Sequence, residues 1–268
     1  MPMRWPPRGA PNPGERAGDG AKVTSPLVRS FMVVGTGEGV GKTFVTSAIV
    51  QALCNIGVHA IAMQPVARGL IRDNRVWHGT ELQQLAAVSA FGLPPRALSP
   101  YILPPASAPP EGRAEGAKAL TLEVVVDTFR VLSTWGDVVV VEGVDDHRQA
   151  LGLTFDSADL AGELKLPFVV VVGLRPGCVT RARTGAHAMM GRGLEWAGWI
   201  ANHLDPAWAD ADSTVDELTE AMPAPCLGTM PRLAESAFAD AAQAIDIART
   251  VLALAPPAQP PEEGNPKP

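Results

Sequence analysis

Cysteine is scarce and scattered. Cys54, Cys178 and Cys226 are the only three in 268 residues. Their spacing offers no CxxC pair and no zinc pattern, and an odd, dispersed set excludes the disulfide framework of a small secreted fold. They read as reduced, mostly buried thiols. The five histidines have no metal-ligand spacing either. Positive charge is not in excess: 22 Lys+Arg against 28 Asp+Glu give a net charge of −6, which excludes the basic footprint of a general nucleic-acid binder. No apolar run approaches the roughly 18 residues of a membrane span. The early arginines are not followed by the apolar stretch of a signal peptide. A cytoplasmic protein with neither a nucleic-acid nor a membrane partner is expected. Aromatics make up only 5 % of the chain, and Trp196 and Trp199 read as packing against a sheet rather than as a stacking platform.

What the chain has in quantity is aliphatic residues, glycine and proline. Hydrophobic residues reach 46 %, enough for a substantial core. Pro2, Pro6, Pro7, Pro11, Pro13 and Pro26 crowd residues 1–27, which read as a disordered Pro/Gly-rich extension, and the tail 256–268 reads the same way. Between them, residues 28–255 are expected to form a single domain.

The most informative stretch in that domain is Gly35-Thr36-Gly37-Glu38-Gly39-Val40-Gly41-Lys42-Thr43. It follows the apolar run Phe31–Val34 and leads into a stretch with helical periodicity, in which Phe44, Val45, Ala48, Ile49, Ala52, Leu53 and Ile56 share a face before Gly57 ends the helix. Strand, glycine-rich turn, Gly-Lys-Thr and helix is the layout of a phosphate-binding loop. Backbone N–H groups over Gly39, Val40, Gly41, Lys42, Thr43 and Phe44 would face a triphosphate. Lys42 would reach the β- and γ-phosphates, and the Thr43 hydroxyl would bind Mg²⁺. The usual spacing G-x-x-x-x-G-K-[ST] puts its first glycine at position 36, which is Thr36; here the glycine is Gly35.

The rest of the domain alternates strand and helix. Strands are expected at 58–63, 137–142, 168–172, 196–201 and, as an edge, 226–230. Helices are expected at 80–91, 120–135, 156–166, 178–192, 214–222 (opened by a Thr214…Glu217 capping box) and 238–255, with irregular chain over 69–79 and 92–119. This order predicts an α/β, doubly wound, mainly parallel sheet with helices on both faces, of the P-loop NTPase kind, whose ligands lie at the carboxyl ends of the strands. Glu142, after four valines, would emerge beside the phosphate loop as a second Mg²⁺ contact. Asp145 and Asp146 are either further metal or water ligands or charges turned to solvent. The turn Gly173–Thr180 supplies helix N–H groups and Arg175, suited to a carboxylate or serving as an ordinary capped turn.

Several of these stretches together resemble the dethiobiotin synthetase family. They are residues 35–43, Gln64-Pro65-Val66-Ala67, Val141-Glu142-Gly143, Gly177-Cys178, Ala197-Gly198-Trp199-Ile200-Ala201-Asn202 and Met222-Pro223-Ala224-Pro225-Cys226-Leu227-Gly228, in order and in spacing across residues 31–235. The resemblance implies an ATP- and Mg²⁺-dependent ligase of biotin synthesis that closes a cyclic urea from the diamine 7,8-diaminononanoate and CO₂ through a carbamate phosphate. It implies a homodimer in which the helix start at Cys178, Val179 and Thr180 meets the substrate's carboxylate across the interface, with Asn202 and the segment at Pro231 meeting adenine. It also marks departures. The family's catalytic lysine position is Gln64, the family's serine four residues on is Arg68, and the metal-binding aspartate aligns with Thr80, beside Glu81. A Gly-Gly pair is replaced by Asp145-Asp146, and Glu38 stands where threonine is usual. Arg68 or Arg175 would then replace the missing cation. The alternative is an ATP-binding paralogue whose ligase activity is lost or altered. A partitioning-type ATPase is disfavoured, because its signature lysine position is Gly37.

Overall fold

The computed structural model describes residues 28–68, 71–73, 76–78, 80–103, 120–143, 155–234 and 237–255. The expectations for 1–27 and 256–268, and for Asp145 and Asp146, lie outside these residues.

A six-stranded sheet forms the centre, in the order β10-β9-β8-β1-β7-β2, and every pairing in it is parallel. The strands are β1 (Phe31–Gly35), β2 (Ala60–Met63), β7 (Val138–Glu142), β8 (Phe168–Leu174), β9 (Trp196–His203) and β10 (Cys226–Met230). Every residue of β1, β2, β7 and β8 is buried. That is why these strands are continuous apolar runs rather than alternating ones: helices cover both faces of a parallel sheet. Trp199 is fully buried, and Trp196 stacks on Phe168 with ring centroids 6.0 Å apart, so the pair packs on the sheet as its sequence context suggested.

The connecting helices are α1 (Lys42–Asn55), α2 (Thr80–Val88), α3 (Leu122–Trp135), α4 (Ser157–Leu164), α5 (Cys178–Met190), α6 (Ala211–Ala221), α7 (Phe238–Ala242) and α8 (Ile247–Ala253). The path from β1 through α1 goes to β2 on one side, and the path from β7 through α4 returns across β1 to β8. The strand order therefore reverses beside β1, and the loop after β1 opens into the crevice that such a reversal creates. This is the predicted α/β, doubly wound, P-loop NTPase-like architecture.

Several local expectations are corrected. α1 is not a helix with one buried face: Thr46, Ser47 and Val50 are as buried as Val45 and Ile49, because α2 and α7 flank it while the sheet lies beneath. Ile56, expected on the inward face, is 46 % exposed at the helix end, where Gly57 (φ 87°) turns the chain as foreseen. Residues 69–79 are not wholly irregular: β4 (Ile71–Asp73) pairs antiparallel with β5 (Val76–His78). Likewise β6 (Tyr101–Leu103), inside the stretch 92–119 read as loop, pairs with β3 (Val66–Arg68).

A further correction concerns α6, which begins a turn earlier than expected. Thr214 lies inside it and its hydroxyl donates to the Asp210 carbonyl, so no Thr214…Glu217 capping box forms. A capping box does form at α4, where the Asp156 carboxylate accepts from the Asp159 N–H and the Asp159 carboxylate accepts from the Asp156 N–H. Finally, the single helix expected over 238–255 is two. Ile245 bridges Gly228, the Asp246 N–H donates to the Leu227 carbonyl, and the Asp246 side chain caps α8.

Candidate nucleotide site

Gly35 explains the shifted glycine spacing. It is the last residue of β1, and a Cβ there would come within 2.8 Å of Val40 Cγ2 and 2.9 Å of Lys42 Cγ and Cδ. The loop folds back so that the Lys42 stem passes over the strand end, and only glycine leaves room for it. Thr36 needs no such freedom; its N–H donates to the Val171 carbonyl (3.0 Å) and extends the ladder with β8.

Val40, fully buried, anchors the apex of the loop. It packs against Gly35 and against Gly173 of β8, where an added Cβ would lie 2.9 Å from Val40 Cγ1. A glycine inside an apolar strand signals a close approach of this kind. Gly37, Gly39 and Gly41 all have positive φ (147°, 68° and 82°), a region costly for other residues. Gly41 is the N-cap of α1, and a Cβ there would collide with the Asn202 side-chain amide nitrogen. That amide donates to the Val40 carbonyl at 2.9 Å. Asn202, which the resemblance assigned to adenine, is thus a buried brace of the loop in this structure. Pro231 follows β10 immediately, and the register Met230↔Asn202 sets it on the same sheet edge, exposed.

The two expected metal ligands come together. Thr43 Oγ1 donates to Glu142 Oε1 at 2.7 Å, with both side chains buried. β7 carries Glu142 to this point because it pairs directly with β1 (Val33↔Glu142), and α1 carries Thr43 because the loop returns to the same edge. A hydroxyl and a carboxylate are hard oxygen donors of the type Mg²⁺ takes in P-loop sites, where phosphate oxygens and water complete the shell. Among the described residues no group of three His, Cys, Asp or Glu could hold a metal by itself. Thr80, the aligned aspartate position, opens α2, and neighbouring Glu81 is exposed.

Lys42 is 7 % exposed and Gln64 8 %. Gln64 directly follows β2, and its N–H donates to the Leu98 carbonyl. Arg68 ends β3, opposite Leu103. Cys178 is the first residue of α5; its side chain is buried and its N–H donates to the Arg175 carbonyl. Val179 is half-buried. Thr180 is exposed and borders a surface cavity of about 550 Å³ with Arg183, Thr184, His187 and Ala188. Arg175 Nη2 donates to the Glu38 carbonyl at 3.2 Å, joining the end of β8 to the phosphate loop. Neither this contact nor the bond from Asn202 to Val40 was legible in the sequence, because each joins segments more than 130 residues apart.

A doubly wound parallel sheet with a glycine loop, a buried Gly-Lys-Thr and an acid on the neighbouring strand defines the P-loop NTPase class. Residues 29–239 match the family model described as an AAA domain, and the chain belongs to that family. Solved structures resemble the chain at low identity. The MinC:MinD cell division protein complex of Aquifex aeolicus matches at 16 % identity over 86 % of this chain and 99 % of that one, with a TM-score of 0.49. The septum site-determining protein MinD of Pyrococcus horikoshii, complexed with Mg-ADP, matches at 19 % over 84 % and 94 %, with 0.48. A ParA family ATPase of Chlorobium tepidum matches at 16 % over 87 % and 94 %, with 0.47.

Proposed function

We propose that the protein is an ATP- and Mg²⁺-dependent cyclo-ligase of the dethiobiotin synthetase type, working as a homodimer on a small diamine and CO₂. The observation that carries the reading is the buried Thr43–Glu142 pair beneath the glycine loop. The chain of motifs from Gly35 to Gly228 supports the particular family. In this reading the loop amides and Lys42 bind the triphosphate, Thr43 and Glu142 hold Mg²⁺, and the ion neutralises phosphate charge when bound. The carbamate formed by one amine and CO₂ attacks the γ-phosphoryl group, and ADP departs with the bond's electrons. The second amine then displaces phosphate from the carbamate phosphate, losing a proton as the ring closes. Gln64 would orient the carbamate by hydrogen bonding without supplying charge. The diamine's carboxylate would meet the start of α5, at Cys178, Val179 and Thr180, from the partner subunit.

The test is direct. Purified protein is supplied with 7,8-diaminononanoate, bicarbonate and Mg-ATP. ADP release that depends on the diamine, together with dethiobiotin formation, is the expected result. A second reading, a nucleotide-binding paralogue without this ligase activity, is favoured by one specific feature: a buried, neutral Gln64 where the resemblance calls for a cation. Tight ATP binding with no diamine-dependent turnover would select it.

A further inference from the structure

Among the described residues, two cations are tied to the phosphate loop. Lys42 lies within it, and Arg175 comes to it from the end of β8. Arg175 is half-buried. Its Nη2 donates to the Glu38 carbonyl at 3.2 Å and lies 3.3 Å from where a Cβ on Gly37 would stand. The guanidinium therefore rests on the half of the loop farthest from α1, over the two residues before Gly39. The opposite half, Gly41–Phe44, opens the helix, and its N–H groups suit the inner phosphates. The Gly37–Glu38 half is left to border the outer end of a triphosphate. The single 3.2 Å bond from Arg175 to a neutral carbonyl is a weak resting contact compared with the charge-assisted bonds a guanidinium forms with a phosphoryl group.

We infer that Arg175 is the γ-phosphate reader of this site: when a nucleoside triphosphate binds, its guanidinium leaves the Glu38 carbonyl for the terminal phosphoryl oxygens, and with a diphosphate it stays on the loop. The inference rests on the nucleotide reading of the loop and deepens it. It needs no partner subunit, since β8 and the loop belong to one chain and are joined by the Gly35↔Val171 register and by Val40 packing on Gly173. Gly37 gives the guanidinium its place, because a side chain at that position would intrude on it.

The experiment measures binding of Mg-ADP and of the non-hydrolysable β,γ-imido analogue of ATP to the wild type, Arg175→Ala, Arg175→Lys and Lys42→Ala, with thermal unfolding of each. Arg175→Ala should weaken the triphosphate analogue by about 10- to 100-fold, the usual scale for a lost charge-assisted hydrogen bond. It should weaken ADP by less than about threefold. Arg175→Lys should recover part of the loss, since lysine supplies the charge without the fork. A brace that merely holds the loop would behave differently, with both nucleotides weakening in parallel and the melting temperature falling; that result, or no change for either nucleotide, overturns the inference. Wild-type protein that binds no Mg-ADP, or Lys42→Ala that binds it unchanged, overturns the nucleotide reading of the loop and takes the inference with it. Failure of Arg175 alone leaves the loop reading standing.

Discussion

Thr43 and Glu142, 99 residues apart in sequence, share a buried 2.7 Å hydrogen bond in which the threonine hydroxyl donates to the carboxylate. The bond joins the first turn of α1 to the end of β7. It brings together two oxygen donors of the kind Mg²⁺ takes in P-loop sites, and the hydroxyl that donates to the carboxylate keeps lone pairs for a cation.

The first prediction follows from that pairing. Glu142→Gln keeps the shape and a hydrogen-bonding partner for Thr43 but removes the charge. Its affinity for ADP without Mg²⁺ should stay within about threefold of wild type, while the gain in affinity on adding Mg²⁺ should shrink by about tenfold or more, the scale of a lost interaction with a charged group. Titration calorimetry with and without Mg²⁺ measures both. An undiminished Mg²⁺ effect would remove Glu142 from the metal site.

The second concerns Gly41 and Asn202. Gly41→Ala faces two separate penalties, a φ of 82° and a collision with the Asn202 amide. The left-handed conformation alone costs on the order of 1 kcal/mol or more. Asn202→Ala removes the collision but not the backbone strain, so Gly41→Ala combined with Asn202→Ala should be more stable than the sum of the two single changes allows. A double-mutant cycle by urea denaturation gives the coupling. Strict additivity would mean that the two side chains do not meet.

How much of this was legible in sequence differs from residue to residue. The loop and Glu142 were, because a buried parallel strand must be an unbroken apolar run, so the first polar residue after Val138–Val141 marks the strand end. Gly35 was visible as an oddity of spacing, but its reason, the Lys42 stem crossing the strand end, needed the fold. The contacts of Asn202 and Arg175 with the loop depend on which strand ends become neighbours, which no local pattern encodes. The capping box was misplaced because Thr214…Glu217 and Asp156…Asp159 are both acceptable signals, and Asp210 already stood at the start of α6.

The third prediction is a pH dependence. Burial pushes the Asp156 carboxyl up, but the Asp159 N–H and the Arg192 guanidinium outweigh it and hold the carboxyl below its ordinary value. Arg192 Nη1 lies 2.7 Å from Asp156 Oδ2, and Nη2 also pairs with Asp159. A carboxyl depressed in the folded state binds fewer protons there than when unfolded. Its contribution is therefore complete above about pH 4, the ordinary aspartate range, and is lost as pH falls through the lower folded value. Asp156→Asn retains a capping oxygen without the charge. The wild type should be more stable than this variant at pH 7, with the gap closing below pH 4 in urea midpoints measured across pH. Asp156→Ala should cost about 1 kcal/mol further for the lost cap. A gap that persists unchanged at pH 3 would contradict the assignment.

The last prediction addresses the proposed ligase chemistry through Gln64. The side chain is 8 % exposed, at the carboxyl end of β2, one strand away from Glu142 on the same sheet edge. A neutral amide in that place can orient a carbamate, but it cannot offset the charge that develops as the carbamate attacks phosphorus. One preorganised donor aimed at such charge is worth about 100- to 1000-fold in rate. Gln64→Lys should therefore raise diamine-dependent ADP release by at least about tenfold if the missing cation is the only deficit. Its cost in stability should be largest without nucleotide, since a buried ammonium needs a phosphate or carboxylate partner. Turnover and melting temperature, each with and without Mg-ATP, separate the outcomes. A lysine variant that Mg-ATP stabilises more than it stabilises the wild type, and that gains turnover, identifies position 64 as the lost cation. A variant stabilised in that way but still inert places the deficit elsewhere in the substrate site, at Arg68 or Thr80, and favours a paralogue with a different reaction. No nucleotide-dependent stabilisation beyond wild type would mean that position 64 does not face the triphosphate.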